Sequence, residues 1–349
     1  MNFLNESFAI NASAAAPVSS ESPPAAASPA QPGVIATVAA LAIAGNLLIL
    51  VATRRRETFP SSSRLFIASI ACSDLLLGLA LAAMVKPAES GEWVYSETAA
   101  RATAVITHAS STMTFAALAG LNLDRYMALK NNGEGISHKK TCGFLLTAWV
   151  GVYTWFIICT VYWVPVYYDP IMSVTTYDLF ACIWFTAASF VISCSALAVT
   201  MYCVVRILKA VCTPPEPPPA PAVIINMPGP GGPPQNANPA VAPNHHDDRS
   251  YAKVVLILTL IQTVMPLPWM GILIAGWLGH HLPTALFWSL WVAWFNTFLD
   301  VVVYSVCQKS FRKVVSEMAR SVAFGLYIVC CSRNSVEVGP QQNVATTSV

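Results

Sequence analysis

The chain has 349 residues, 55% of them hydrophobic and only 10% charged, with a mean hydropathy of +0.57 and a formal net charge of +2. A soluble domain averages about a quarter charged residues, so this composition excludes one and points to a protein that crosses a membrane several times. The net charge says little about partners, and the placement of the charges carries more information than their sum; no nucleic-acid partner is expected.

The first thirty residues, Met1 to Ala30, are rich in Ala, Ser and Pro and contain no Lys or Arg. Such a stretch cannot bury a core, so residues 1–33 are read as a disordered tail. No basic segment precedes an apolar one, so no cleavable signal peptide is expected. Asn5-Glu6-Ser7 and Asn11-Ala12-Ser13 are acceptor sites for N-glycosylation at Asn5 and Asn11, which fits an outward-facing tail.

Seven apolar spans follow, each near the ~20 residues a bilayer requires. They are read at Val34–Thr53, Leu65–Val85, Ala99–Leu129, Thr141–Val164, Leu179–Leu208, Tyr251–Leu278 and Pro283–Cys307. Positive residues collect on the cytoplasmic side of membrane spans. Arg54, Arg55, Arg56 and Arg64 fill the first loop, Lys130, Lys139 and Lys140 the third. Arg206, Lys209, Arg249 and Lys253 flank the fifth, and Lys309, Arg312 and Lys313 follow the last span. Only Lys86 and Arg101 fall on the other side, beside Glu89, Glu92, Glu97, Asp169 and Asp178. The expected orientation has the N-terminus outside and the C-terminus in the cytoplasm.

Residues 212–249 form a Pro/Ala/Gly/Asn-rich cytoplasmic loop within the 34–307 bundle; its prolines break helix and strand alike. Beyond Cys307, Phe311, Val314, Val315 and Met318 recur at helical spacing between Lys and Arg, the pattern of an amphipathic helix at 308–324 lying on membrane lipid. In the cytoplasmic tail, 325–349, Cys330 and Cys331 read either as palmitoylation sites or as plain thiols. The end, Thr347-Ser348-Val349, has the hydroxyl and apolar terminus that PDZ domains take.

One run stands out at the end of the third span: Asp124-Arg125-Tyr126. Ionisable residues at the edge of an apolar span are costly and mark function. Together with Gly45-Asn46-Leu47-Leu48, Ser73-Asp74-Leu75, Trp149, Tyr202, Leu267-Pro268, Asn296 and Asp300 through Tyr304, this run resembles the rhodopsin-like (class A) G-protein-coupled receptors. The resemblance covers Val34 to about Met318 and implies a seven-transmembrane helix bundle, all-α, in the plasma membrane. It implies a transducer coupled to heterotrimeric G proteins, not an enzyme. In that family Arg125 would meet the G-protein α-subunit, supported by Tyr202 and Tyr304. Asp248 would lock Arg125 in the inactive state, with Asp247 or His246 as alternatives. Asn46, Asp74, Thr114, Asn296 and Asp300 would form a polar core. There, either a sodium ion at Asp74 or a proton on Asp300 relieves the charge.

The chain also departs from the family. The switch motif of span six reads Met265-Pro266-Leu267-Pro268 and lacks its tryptophan, and span seven has Asp300-Val301-Val302-Val303-Tyr304 without a proline. Span five has no proline, and residues around Ala100 replace the usual cysteine of span three. Cys182 is left without that partner, so no disulfide to span three is expected. These departures look like the branch holding melanocortin, cannabinoid, lysophospholipid and adenosine receptors. The outer half of span three has Thr107 and His108 and no acid, so a neutral or apolar ligand, including a lipid, fits better than an amine. Met113, Trp269, Trp291 and Trp294 are further candidate contacts. No lysine lies between Pro283 and Cys307, which rejects a retinal Schiff base. Matched broken spans of a transporter and a nucleophile or metal motif are also not found. The competing reading is a receptor-like protein that does not signal and acts as partner or decoy of other receptors.

Overall fold

The structure, a computed structural model, describes residues 30–178, 182–213, 245–280 and 282–336. Asn5, Asn11 and Thr347–Val349 lie outside the described residues. In chain order the elements are α1 (Ala30–Thr53), α2 (Arg64–Ser90), α3 (Glu97–Lys130), α4 (His138–Tyr162), β1 (Val166–Asp169) and β2 (Val174–Tyr177). Then come α5 (Ile183–Cys212), α6 (His245–Val264), α7 (Leu267–Trp277), α8 (Pro283–Cys307) and α9 (Lys309–Val336). Among the described residues, counting α6 and α7 as one span, seven helical segments are long and apolar enough to cross a membrane.

Local chemistry sets several boundaries. Ser96 caps α3, its hydroxyl accepting from Ala99 N at 3.2 Å, while Glu97 and Lys130 sit at the ends of the helix dipole that favour them. Gly91 ends α2 in the left-handed conformation, φ 74°. The sixth span breaks between Val264 and Leu267 because Pro266 and Pro268 each remove an amide donor and crowd the preceding turn.

The third helix is the axis of the bundle, packing against α2, α4, α5, α6 and the hairpin. Gly120 makes this possible on the α2 side. A Cβ there would fall within the ring of Phe66, so any side chain would push the helices apart. Large apolar residues such as Leu146, Val191, Leu260 and Val306 point away from the bundle and stand well exposed. On a membrane span such a face meets lipid, where apolar exposure costs nothing. The interior has two main apolar layers. One holds Leu118, Leu121, Val255, Tyr304 and Phe311 near the Asp124 end; the other holds Ile35, Leu81, Met84, Val174 and Trp291 at the opposite end.

Three features go beyond or against the sequence reading. The loop after α4, to which that reading gave no element, forms an antiparallel hairpin, with Val166 opposite Tyr177 and Asp169 opposite Val174. Asp169 builds its turn, accepting at Oδ1 from Ile171 N at 2.8 Å and Met172 N at 3.1 Å, and Ser173 takes a left-handed φ of 57°. Neither β-branched pairing nor this turn is visible in a segment flanked by stronger helix signals. The last helix runs to Val336, past the expected 308–324, and carries Cys330 and Cys331. Met113 packs in the layer nearer Asp124, with Phe66, Leu118 and Val255, and so is a core residue rather than an outer contact.

Candidate functional site

At the Asp124 end a buried ionic cage surrounds Arg125. Asp124 and Arg125 are almost fully buried and pair at 2.7 Å. Asp124 Oδ2 also accepts from Ser63 Oγ at 2.6 Å and Ser62 Oγ at 3.1 Å, and Oδ1 accepts from Ile136 N at 2.7 Å. Arg125 Nη2 donates to Ser62 Oγ at 2.6 Å, and its guanidinium lies 5.2 Å from the Tyr251 ring centroid, within cation–π range. Asp248 of α6 approaches as well, its Oδ1 3.6 Å from Arg125 Nη1. That distance gives charge attraction without a hydrogen bond, and Asp248 is partly open to solvent. The side chains of His246 and Asp247 lie outside the described residues.

The folding of this end explains the cage. Ser62 and Ser63 lead into α2, which stands against α3, and the loop after α3 turns back at Gly133 and Gly135 to bring Ile136 N onto Asp124. A Cβ on Gly135 would overlap Asp124 Oδ1 and Ser62 Oγ, so only glycine admits the backbone this close. Tyr126 faces α5 instead, where Arg206 donates to its hydroxyl at 3.1 Å and the exposed Tyr202 packs edge-on at 6.2 Å. Arg125 meets neither Tyr202 nor Tyr304 in this arrangement. Tyr304 is buried against Phe59 at 5.0 Å and Phe311 at 5.7 Å, and Gln308 and Ser310 both donate to Thr58 O, which ties α9 to the first loop.

Midway along the bundle is the polar core. Asp74 Oδ1 accepts from Thr114 Oγ1 at 2.7 Å. Asn46 Nδ2 donates to Ala42 O and to Thr297 O, joining α1 to α8. Asp300 Oδ1 accepts from Gln262 Nε2 at 3.1 Å, and Gln262 Oε1 accepts from Asn296 Nδ2 at 2.5 Å. Asn122 and Thr259 join α3 to α6 nearby at 2.8 Å. Among the described residues, Asp74 Oδ2, Asn46 Oδ1 and Asn296 Oδ1 are buried with no hydrogen-bond partner. All five expected core residues are thus buried, and the carboxylates bond to different neighbours rather than to each other.

The opposite end is closed by the hairpin. Every residue of β2 is buried. Met172 and Val174 pack with Trp291 and Phe287, and Trp291 Nε1 donates to Met172 O at 3.1 Å. Tyr177 donates to or accepts from Thr160 Oγ1 at 2.9 Å, and burial pushes its phenol well above the usual range. His108 lies 4.7 Å from the Tyr177 ring, its Nδ1 3.0 Å from Ala104 O. Trp294 packs edge-on to Trp291 at 5.1 Å. Thr107 Oγ1 and Trp269 Nε1 are buried without partners among the described residues. Thr107, His108, Trp269, Trp291 and Trp294 thus lie toward this end, while Met113 packs in the layer nearer Asp124. Cys182 is a free, buried thiol, with no bridge to α3.

Sequence reasoning missed Gln262, Ser62, Ser63, Tyr251 and Asn122. The signal for two of them, Gln262 and Asn122, was available: an amide side chain inside an apolar span costs several kcal/mol in lipid unless it faces a partner. The sequence matches the family described as 7 transmembrane receptor (rhodopsin family) over residues 45–304. In fold the chain is similar to squid rhodopsin, with a TM-score of 0.68 at 14% identity, covering 90% of this chain and 92% of that one. With that match over most of its length, the chain belongs to the rhodopsin family of seven-transmembrane receptors and is a G-protein-coupled receptor.

Proposed function

We propose that this receptor sits in the plasma membrane with its N-terminus outside and switches heterotrimeric G proteins through Arg125. The observation that carries the reading is the pairing of Arg125 with both Asp124 and Asp248. Asp124 belongs to the same helix, so its pairing survives any motion of α6; Asp248 belongs to α6 and leaves with it. A guanidinium held by one permanent and one movable carboxylate is a two-state contact, and such an element gives a ligand something to bias. The polar link from Gln262 to α8 supports signalling over the decoy reading, because it supplies a second breakable contact on α6 where the family tryptophan is missing. Expression of the full chain against a panel of G-protein α-subunits tests this. Coupling lost in Arg125→Ala is the expected result, and silence in every class, with or without candidate ligands, would favour the decoy.

The ligand class stays neutral or apolar, a small molecule or lipid. Supporting it, Trp269, Trp291, Trp294, Thr107 and His108 gather at the capped end, and none of these five side chains is a carboxylate that would hold an ammonium. Palmitoylation at Cys330 or Cys331, glycans at Asn5 and Asn11, and a PDZ partner at the C-terminus remain parts of the same proposal.

A sodium ion at Asp74 belongs here too. The residues fit it: a buried carboxylate oxygen and two amide oxygens lack partners, and hard cations take such oxygens. A proton on Asp300 would relieve the same charge, but the bonds of the two carboxylates run to Thr114 and Gln262, so no shared hydrogen bond supports it. Bound sodium would supply positive charge between α2 and α8 and hold the inactive arrangement.

A further inference from the structure

Two helices stand beside the switch at the Asp124 end, and they are held to α3 in different ways. α6 brings Asp248 and Tyr251 to Arg125 itself. α5 meets the switch at the next residue, Tyr126. The inward stripe of α5 at this level is Thr200, Cys203 and Ile207, each buried and none of them an acid or a base. Apolar packing of this kind is non-directional, so it holds two helices together without fixing how one stands on the other. Tyr202 and Arg206 lie beside the stripe, exposed and four residues apart, which places them one above the other on the same side of α5.

The Tyr126 ring meets both. Tyr202 packs against it edge-on, centroids 6.2 Å apart and planes at 84°. Arg206 Nη2 donates to the Tyr126 hydroxyl at 3.1 Å, and its Cζ lies 5.4 Å from the centroid of the same ring. One guanidinium thus engages the hydroxyl and the π-system together, which its flat, many-donor head allows and an ammonium does not. This contact has a direction where the apolar stripe has none. It also sets the rotation of α3: successive residues on a helix are turned by about 100°. With Tyr126 held toward α5, Arg125 is aimed at α6 and the cage.

We propose that Arg206 is a positioning residue of the switch, latching α5 to α3 through Tyr126 so that the inner end of the bundle stays closed. The inference rests on the reading that a G protein docks at this end. A cleft for such a partner opens as α5 or α6 leaves α3. Asp248 restrains α6, and Arg206 restrains α5. Because Arg206 is exposed the latch is weak, and a docking partner can open it.

The test compares the purified full-length receptor in phosphatidylcholine nanodiscs with Arg206→Gln, Arg206→Lys, Tyr126→Phe and the double variant Arg206→Gln/Tyr126→Phe. Deuterium uptake by the peptide 203–212 reads the latch with no G protein present, and basal nucleotide exchange on added G protein reads the switch. Arg206→Gln should speed both about threefold and leave uptake at 183–195 unchanged. Tyr126→Phe keeps the ring and should give a smaller rise. The double variant should match Arg206→Gln, since one shared contact is lost only once. Arg206→Lys keeps the charge without the flat head and should fall between parent and Arg206→Gln; this pair decides the matter if Tyr126→Phe does not fold. A residue that only supports the fold would lower nucleotide exchange together with the unfolding temperature, whereas loss of a latch raises it. Unchanged uptake in Arg206→Gln, a double variant showing the sum of its parts, or faster uptake with lower nucleotide exchange would overturn the proposal. Faster uptake in a receptor whose parent and variants activate no G-protein class supports the latch and overturns the signalling reading instead.

Discussion

Gln262 of α6 donates to Asp300 of α8 at 3.1 Å, and the same amide accepts from Asn296 one turn away at 2.5 Å. Both bonds lie fully inside the bundle, beneath the break at Pro266. A glutamine fixed at both ends of its amide holds the register of α6 against α8, the contact that must yield if α6 moves. The arrangement also occupies Asp300 Oδ1, so the link and the polar core act on each other.

Replacement of Gln262 by Leu keeps the size and removes both bonds. Two net hydrogen bonds are worth about 1–3 kcal/mol together, and the substitution leaves Asn296 and Asp300 without a partner. Basal G-protein activation, measured by nucleotide exchange on purified receptor and G protein, should rise several-fold. A Gln262→Leu variant that is folded and no more active than the parent would show that the link does not hold the inactive state.

The pair Arg125–Asp248 is weaker, because the carboxylate is partly solvated and 3.6 Å away. Such pairs contribute about 1 kcal/mol or less. Asp248→Ala should therefore raise basal exchange only two- to fivefold, and a further Gln262→Leu should add to it, since the two sites share no partner. No change in Asp248→Ala or in Asp247→Ala would remove the lock.

Asp124 is different in kind. Its charge is fully buried and is balanced by Arg125, Ser62, Ser63 and the amide of Ile136. Loss of one donor to a buried charge costs about 1–3 kcal/mol. Ser63→Ala and Gly135→Ala should each lower the unfolding temperature of the detergent-solubilised receptor by several degrees, the second by displacing the loop that carries Ile136. Equal unfolding temperatures for parent and both variants would mean that the cage is not a stability element.

Sodium should raise the unfolding temperature when it replaces a large organic cation at equal ionic strength, and should lower basal exchange. Asp74→Asn should abolish both effects. Basal activity and stability indifferent to sodium in the parent would leave Asp74 a structural residue with an unfilled acceptor.

The membrane class, the seven spans and the Asp124-Arg125-Tyr126 run were legible in the sequence because each depends on a local quantity. Twenty apolar residues are enough to require a bilayer, and a charge pair closing such a run is visible without knowing its neighbours. What faces what inside the bundle was not. An amphipathic helix reveals its buried side by periodicity, but spans with as little contrast between their sides as α1 and α4 do not. Gln262, Asn122 and Tyr251 could therefore be seen as polar or aromatic residues, but their partners lie on other helices and depend on how each helix is turned. The same holds for the hairpin: β2 is buried on both faces because it lies under α3 and α2, a condition set by the packed bundle and not by Val174-Thr175-Thr176-Tyr177 alone. Met113 was misplaced for this reason, its turn of α3 facing the Asp124 layer. Composition decided which solvent the chain lives in; only tertiary packing decided which of its few polar atoms meet.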